Sequence, residues 1–559
     1  MSDASPQNQQ DETAAVPLRS TFNLITEPWI QVRTHNGEVA EVSILDAFSR
    51  AREIKDICGE LPTQTFAITR LLLAILYRVY GEELSVLDWQ DLWKNGPPSE
   101  DIAEYLADYD DRFDLLHAET PFFQVADLKT AKDEVKDVVQ LLFDVPSNQR
   151  LFTTRAGEGV KRLNFAEAAR WLVSVQAFDP SGNKSGAVGD QRVRAGKGYP
   201  IGVAWSGQLG GVLLEGTDLA ETLALNFVLS NENYAIEWED DLPPWERKHL
   251  GPAEAPARHV AGPVDLYTWQ SRRVRLVHDG RGIYGSLIAN GDRITPQNRH
   301  RHEMMSAWRY SQPQTKKLGH TTYMPKEYVQ DRAFWRGLSA LLPKAQLITE
   351  GKEASRYLPP GSIMWLSQLQ MNETIPGSTQ IGVRAIGVIY GSNNSVVDDV
   401  IDDRLLVSLA LLRADNSELA ARAEDAVMIA ESGVQALWRL AGNLAIAAGG
   451  EGASQQSRAQ VSAYAALDQP YRTWLAGLGP ETEPVRAIEE WKTTAREIIR
   501  AIGLELIDTG GPTAWIGREH RGELMTSSRA AHYFTRSLWK IFGDPKMSDT
   551  SETAKEGAA

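Results

Sequence analysis

The sequence predicts an α+β protein, with a large mixed N-terminal domain of irregular sheets and helices followed by a C-terminal helical bundle. Up to about residue 400, short alternating segments end at Asn-Gly, Asp-Gly and similar turn signals, with single helices between them. Beyond that point the patterns are long, helical and rich in Ala, Leu, Glu and Arg. We place the domains at 20–400 and 401–545, between polar tails at 1–19 and 546–559 that we expect to be disordered.

Two kinds of signal predict the N-terminal elements. Apolar residues on more than one face of segment 63–80 predict a buried helix, and Asn164 is a suitable N-cap for a second helix over 165–178. Alternating segments next to turn-forming residues predict strands, which lie at 22–32, 38–44, 274–277, 283–288 and 381–390.

Long helical patterns predict the C-terminal bundle. Their limits are 402–413, 418–448, 455–478, 484–507 and 527–542. An acidic cluster surrounds the start of the first pattern and consists of Asp398, Asp399, Asp402 and Asp403. Such a cluster can bind a cation, but the dipole at a helix start also favours acidic residues. We favour the helix start.

Charge is segregated along the chain. The formal net charge of −16 argues against a general nucleic-acid binder, because phosphate binding requires Lys and Arg. Residues 150–197, however, hold nine Lys or Arg against four acids, and residues 272–317 hold ten against three. These two basic stretches are compatible with a local nucleic-acid surface or with charges scattered over solvated faces.

Cysteine content and the N-terminus predict a soluble cytoplasmic protein. Cys58 is the single cysteine, so an intrachain disulfide or a cysteine zinc cluster is excluded. The N-terminus has neither the basic nor the apolar region of a signal peptide. Apolar runs such as 71–76 are too short to cross a bilayer.

The motifs of common enzyme classes are absent from the sequence. It has no Walker phosphate loop, Rossmann glycine fingerprint, HExxH helix or GxSxG elbow. His300 and His302 lie two apart in a basic segment, where a solvent- or phosphate-facing pair is favoured over a metal site. We therefore expect a protein that is not an enzyme and has no cofactor.

Eight segments together carry a family resemblance. They are FNLITEPWIQV from Phe22, ELPTQTFAITRLLLAILYRVY from Glu60, TPFFQV from Thr120, AEAARWLVSVQAF from Ala166, GTDLAETLALNFVL from Gly216, LPPWER from Leu242, VDLYTWQSRRVRL from Val264 and YGSNNSVVDD from Tyr390. In this order they resemble the large subunit (CasA family) of the type I-E CRISPR Cascade surveillance complex. The resemblance implies that the C-terminal bundle has four helices.

The resemblance also implies a function. Large subunits of this family recognise the protospacer-adjacent motif (PAM) of double-stranded target DNA through the minor groove. They wedge the duplex open to start R-loop formation and help to recruit the helicase–nuclease in antiviral defence. The implied partners are target DNA, the CRISPR RNA, the backbone and small helical subunits, and the helicase–nuclease. A structural scaffold that does not read the motif is the alternative, and a hydrolase with a scattered site is a third class.

The family's wedge corresponds to the turn after segment 381–390. The family has a glutamine between small polar residues there, and this chain has Asn394 at the tip, flanked by Asn393 and Ser395. Asparagine is one methylene shorter than glutamine, but its amide can still hydrogen-bond a base edge.

Two further segments correspond to the family's motif-reading loops. In the glycine-rich segment 180–200, Gly189 matches the glycine whose backbone lies against the bases, and Gly186 matches a second loop glycine. Asp190 departs from the family, which can have glycine there. Arg293 matches the lysine that enters the minor groove, with Arg299 and Arg301 as alternatives.

A last loop, 149–159, resembles the one that contacts the RNA 5′ handle and a backbone subunit. Phe152, Thr154 and Arg155 occupy it. Some relatives have a cysteine-rich zinc site between the glycine loop and the lysine segment, and this chain has no cysteine in that region. The resemblance therefore implies no metal here.

Overall fold

In a computed structural model of the chain, the structure describes residues 18–82, 84–142, 161–229, 236–255, 259–344, 346–351, 353–414 and 417–543. The tails that we expect to be disordered fall almost entirely outside this range. Among the described residues, none of the helices combines the length and apolar character that crossing a membrane requires.

Nine helices lie before residue 400 in the described part of the chain. They are α1 (Ile44–Ser49), α2 (Pro62–Tyr80), α3 (Val86–Asn95), α4 (Ser99–Ala107), α5 (Phe165–Phe178), α6 (Leu219–Asn226), α7 (Pro263–Tyr267), α8 (Gln312–Leu318) and α9 (Gly361–Met371). The two helices predicted from sequence, α2 and α5, are both present. Asn164 caps α5 as predicted, because its side-chain oxygen accepts the N–H of Glu167 at 2.7 Å.

The strands are short and antiparallel. Those up to β14 are β1 (Ile30–Thr34), β2 (Val39–Val42), β3 (Ile54–Ile57), β4 (Lys136–Asp137), β5 (Lys184–Ser185), β6 (Lys197–Gly198), β7 (Gly211–Glu215), β8 (Arg272–His278), β9 (Ile283–Asn290), β10 (Trp308–Tyr310), β11 (Tyr323–Pro325), β12 (Tyr357–Leu358), β13 (Gln380–Tyr390) and β14 (Val397–Ser408).

These strands form four three-stranded sheets and one two-stranded ribbon. The orders are β2-β1-β3, β4-β9-β8, β11-β10-β12 and β14-β13-β7, with β5 paired to β6. The predicted hairpins at Asn36-Gly37 and Asp279-Gly280 are the β1–β2 and β8–β9 turns. The irregular mixed fold is therefore confirmed, with several small sheets in place of one continuous layer.

Helix α2 lies at the centre of the N-terminal core, and it packs against α5 and α7. A charged pair lies inside this core. The guanidinium of Arg70 donates to both carboxylate oxygens of Glu303 at 2.8 and 2.9 Å, and both side chains are essentially inaccessible. Trp205 donates a third hydrogen bond to Glu303, and the Arg70 guanidinium lies 4.2 Å from the ring centroid of Tyr267. The charges are paired and hydrogen-bonded, as burial requires.

The helix expected over 402–413 is wrong, because these residues continue strand β14 as far as Ser408. β14 pairs with β13 along its whole length. Two of the four acidic residues pair with basic residues of other elements. Asp402 accepts hydrogen bonds from Arg384 on β13, and Asp403 accepts one from Arg472. The acidic cluster is thus part of an ion-paired strand and does not start a helix.

The four long C-terminal helices are present as predicted, and the structure adds a short one. They are α10 (Ser417–Ala448), α11 (Ala453–Ala476), α12 (Pro484–Asp508), the short α13 (Gly511–Ile516) and α14 (Ser527–Phe542), with a hairpin of β15 (Arg518–His520) and β16 (Glu523–Met525) before the last helix. Helix α10 packs against α11, α12 and α14. The four long helices form the expected four-helix bundle.

Trp335 joins the bundle to the N-terminal domain. Its indole N–H donates to Asp468 of α11 at 2.9 Å, and its ring stacks on Tyr471 with centroids 4.5 Å apart. The side chain is fully buried. Nearby, Arg472 of α11 pairs with both Asp468 and Asp403 of β14. Together these contacts fix the bundle against β14, the strand that follows the predicted wedge turn.

Candidate nucleic-acid interface

The turn that joins β13 to β14 is short, exposed and held by its own backbone. Asn393 and Asn394 both have φ 55°, a left-handed conformation that asparagine adopts more readily than most residues. The N–H of Asn394 donates to the carbonyl of Gly391 at 2.9 Å, and the N–H of Gly391 donates to Val396 at 3.0 Å. Asn393, Asn394 and Ser395 are exposed. Two amide side chains therefore stand at the tip of an ordered hairpin.

The segment after α5 supports this turn from one side. The N–H of Ser181 donates to the carbonyl of Asn394 at 2.7 Å. The hydroxyl of Tyr390 donates to the carbonyl of Phe178 at 2.6 Å, although 212 residues separate the two. A methyl group on Gly182 would contact the turn at 3.6 Å. The predicted wedge turn and the start of the glycine loop thus form one surface.

The two glycines predicted to contact DNA have different surroundings. Gly186 is buried, and a methyl group there would lie 2.4 Å from the carbonyl oxygen of Gly196, so the packing of the loop itself requires glycine. Gly189 is exposed and has φ 96°, a conformation that side chains disfavour. A methyl group there would meet Pro252 at 3.4 Å. Of the two, Gly189 is the one whose backbone is accessible to a groove.

Asp190, the acid that departs from the family pattern, faces inward. It is buried and pairs with Arg192 at 2.9 Å. Burial alone would raise the pKa of this carboxyl, but hydrogen bonds from Arg192 lower it below its ordinary value. Asp190 therefore acts within the loop and does not present a negative charge to an approaching phosphate.

Arg192 and Glu254 connect the glycine loop to the segment of Arg293. Arg192 donates to the carbonyls of Asn290 and Gly291 at 3.1 and 3.0 Å and pairs with Glu254 at 3.1 Å. Glu254 also accepts the backbone N–H of Arg293 at 3.2 Å. The three predicted motif-reading segments are therefore linked: the wedge turn to the glycine loop, and the glycine loop to Arg293.

The three arginines that could enter the minor groove differ in solvent exposure and in the contacts of their side chains. The side chain of Arg293 is 59% exposed, and within the described residues its ion-pair partner is Glu254, at a long 3.8 Å. Arg299 is half-buried and donates to Thr295 at 3.1 Å. Arg301 is exposed. Geometry thus favours Arg293 and Arg301 over Arg299.

The basic stretches present less charge to solvent than their composition suggests. Arg272 and Arg273 are buried and pair with Asp179 and Asp292 at 2.5 and 2.6 Å. Lys184, mostly buried, also pairs with Asp179. The exposed cations of the glycine loop include Arg194 and Lys197, and Arg293 is exposed as well. Any phosphate contacts of the described residues would come from exposed cations of this kind, so a count of Lys and Arg along the chain overstates the charge that these stretches present to solvent.

The remaining site predictions have mixed outcomes. Phe152, Thr154 and Arg155 lie outside the described residues, so their role stays a prediction. His300 and His302 do not form a solvent-facing pair, because both are half-buried and burial lowers the pKa of each to about 4.

One trio of metal-ligating residue types converges within the described ranges. It consists of Glu237, Asp240 and His259, all exposed. The ring Nε2 of His259 lies 2.7 Å from a carboxylate oxygen of Glu237, an ordinary surface contact. A surface His–carboxylate contact needs no bound ion to explain it.

Sequence reasoning missed the residues that assemble the surface. Ser181, Arg192, Glu254 and Tyr390 make the contacts between loops, and their partners lie far away along the chain. The single local signal is the pair Asp190 and Arg192, whose opposite charges lie two residues apart.

The chain resembles known proteins in sequence. The family model described as CRISPR-associated protein Cse1 matches residues 23–502. A curated relative, CRISPR-associated protein CasA/Cse1 of Thermus thermophilus, is 34% identical over 330 residues, covering 58% of this chain and 60% of the relative. The match thus spans about three-fifths of the length of that relative.

Solved structures agree over nearly the full length. The crystal structure of Thermobifida fusca Cse1 is 41% identical, with a TM-score of 0.87, and the match covers 94% of this chain and 98% of that one. Cse1 from Acidimicrobium ferrooxidans is 28% identical, with a TM-score of 0.78, and the match covers 94% and 100%.

Fold and sequence thus define a CRISPR-associated protein. More particularly, the chain belongs to the Cse1 (CasA) family, the large subunits of the type I-E CRISPR surveillance complex.

Proposed function

We propose that this subunit reads the PAM of double-stranded DNA from the minor groove and starts unwinding beside it. The observation that carries the proposal is the link between three exposed segments that are distant in sequence. Ser181 bonds to Asn394, and Arg192 and Glu254 connect the same glycine loop to Arg293. No part of this surface needs a catalytic group.

Each segment has a distinct chemical task in this proposal. The bare backbone of Gly189 approaches the groove floor, where a side chain would collide with the bases. Arg293 leaves its long ion pair with Glu254 for the negative potential of the groove. The minor groove offers a degenerate pattern of donors and acceptors, so motif reading is permissive.

The wedge then acts on the first base pair. The backbone of Asn394 is held by its left-handed conformation and by Ser181, so the point from which its side chain projects is set before DNA arrives. Unstacking a base step costs a few kcal/mol, which contacts of the wedge and the first RNA–DNA pairs offset. Arg194 and Lys197, both exposed, are placed to contact phosphates and to supply salt-dependent affinity.

The wider role follows from the family and is part of the same proposal. The subunit acts in the cytoplasm, in antiviral defence, without catalytic activity or a cofactor. It binds the CRISPR RNA handle and the backbone subunit through Phe152, Thr154 and Arg155, meets the small helical subunits, and helps to recruit the helicase–nuclease.

Crosslinking tests the proposal against a scaffold that never touches the motif. A photoreactive amino acid is placed at Lys197, beside the loop, in the reconstituted RNA-guided complex, and duplexes differ only in the flank of a matched target. Crosslinks to the flank that depend on its sequence support motif reading. Crosslinks only to protein or RNA, or equally to every flank, would contradict it.

A further inference from the structure

A cavity of about 780 Å³ lies beyond the surface described above, and the proposed motif reading leaves it unused. Its walls come from the 3₁₀ turn Arg299–Arg301, the strands β11 and β12, helix α9, Lys344 and the segment 347–351. Its volume is within the range of small-molecule sites, roughly 300–1,000 Å³. The size is therefore suited to one nucleotide and far too small for a duplex.

One part of the wall is cationic. Arg301 and Lys344 are exposed and both line the cavity. Within the described residues neither makes an ion pair, although the charge of Lys344 acts on the carboxyl of Glu424 and favours its ionised form. Glu350 contributes one carboxylate to the same wall, so the two basic residues outnumber it. Exposed guanidinium and ammonium groups of this kind are the usual partners of a phosphate.

Another part of the wall is apolar and carries a neutral imidazole. Leu358 and Met364 line it, and the ring of His300 lies edge-on to Tyr323, with centroids 5.5 Å apart. The Nδ1 atom of His300 is buried without a hydrogen-bond partner within the described part of the chain. Because burial lowers the pKa of this ring to about 4, it is neutral at physiological pH and can donate and accept hydrogen bonds. Because Nδ1 is covered by protein, a ligand in the cavity would meet the remaining part of the ring.

We propose that this cavity binds a single nucleotide unit, with the base against Leu358, Met364 and His300 and the phosphate against Arg301 and Lys344. The nucleotide is either free or part of a strand. Arg301 lies eight residues after Arg293, a span of at most about 28 Å, so an extruded nucleotide of DNA held at Arg293 is within reach. Binding of a free nucleotide does not depend on motif reading, whereas binding of a strand nucleotide rests on the proposed contact of Arg293 with DNA. Either form gives Arg301 a role other than entry into the groove.

The first arm of the test uses free nucleotides. Calorimetry measures binding of deoxynucleoside monophosphates and of the matching nucleosides to the full-length chain. We expect the nucleosides to bind roughly tenfold more weakly, because a charge-assisted contact to the phosphate is lost. Met364→Trp fills the apolar end without changing charge, and Lys344→Glu reverses the cationic end; each should weaken monophosphate binding about tenfold or more.

The control is Arg500→Glu, an equal charge reversal on the exposed face of α12, and it should leave binding within about twofold. Circular dichroism and thermal unfolding establish that each variant is folded. If Arg500→Glu weakens binding as much as Lys344→Glu, or if Met364→Trp has no effect, the signal is general charge attraction and the cavity assignment fails.

The second arm uses a strand. The reconstituted complex is mixed with a target duplex that carries 2-aminopurine in turn at each position flanking the motif. Fluorescence changes that Met364→Trp removes identify an extruded nucleotide as the occupant. Monophosphate binding with unchanged strand fluorescence identifies a free nucleotide. If the monophosphates do not bind and no Met364-dependent fluorescence change is observed, the proposal is overturned. Flank preference measured in the same samples reports separately on motif reading.

Discussion

Replacing Gly189 with alanine tests whether the backbone of the glycine loop reads the motif. The φ of 96° makes any side chain unfavourable there, at a cost of about 1–2 kcal/mol. Among the described residues the new methyl group would meet Pro252 alone, at 3.4 Å, which is ordinary contact. In the complex with DNA it would stand between the backbone and the groove floor. We expect Gly189→Ala to reduce the preference for a permissive flank by at least about tenfold, equivalent to about 1.4 kcal/mol.

Gly196→Ala is the matched control in the same loop. Gly196 has φ 73° and is exposed, and a methyl group there meets no described residue within 4 Å, so the conformational cost is similar. The assay compares affinities of the reconstituted complex for matched targets with permissive and non-permissive flanks. Equal loss of preference in both variants would show that loop conformation alone matters, and undiminished preference in Gly189→Ala would refute groove contact by Gly189.

Substitutions at the wedge, the groove arginine and the buried ion pair give three other predictions. Asn394→Gly keeps the left-handed turn but removes the amide, so we expect R-loop formation, followed by permanganate footprinting, to slow roughly fivefold while duplex binding is retained; unchanged opening would exclude this amide as the wedge. Arg293→Ala should reduce the slope of log affinity against log salt by about 1, and a reduction in Arg301→Ala instead would transfer the groove role to Arg301. Glu303→Gln should lower the free energy of unfolding, measured with urea, by about 3 kcal/mol because it leaves the Arg70 charge buried without its partner; a change below about 1 kcal/mol would contradict that pairing.

The sequence was a good guide to elements whose local pattern agrees with their environment. The long helices of the bundle, the buried helix α2 and the hairpins at Asn-Gly and Asp-Gly all formed where predicted. The end of strand β14 was predicted as helix because Leu405, Leu409 and Leu412 lie four and three residues apart, which is the spacing of a helix face. The segment is a strand because it pairs with β13, and the local sequence pattern does not show that pairing.

The exposed turn and loop of the site could be predicted from the sequence, but the residues that hold them in place could not. The Asn-rich turn and the glycine loop are local signals, and both were identified. The burial of Arg272 and Arg273 was not predicted. Each side chain is held by an acid distant in sequence or by carbonyls that only the fold brings near. Counting charges along the chain therefore overstated the basic surface.

PAM reading by this subunit is tested most directly by duplex binding of the reconstituted RNA-guided complex, with and without the subunit, across a library of flanks beside one matched target. Flank-dependent binding should appear only when the subunit is present. Identical affinity and identical flank preference without it would contradict motif reading and leave the chain the role of a scaffold.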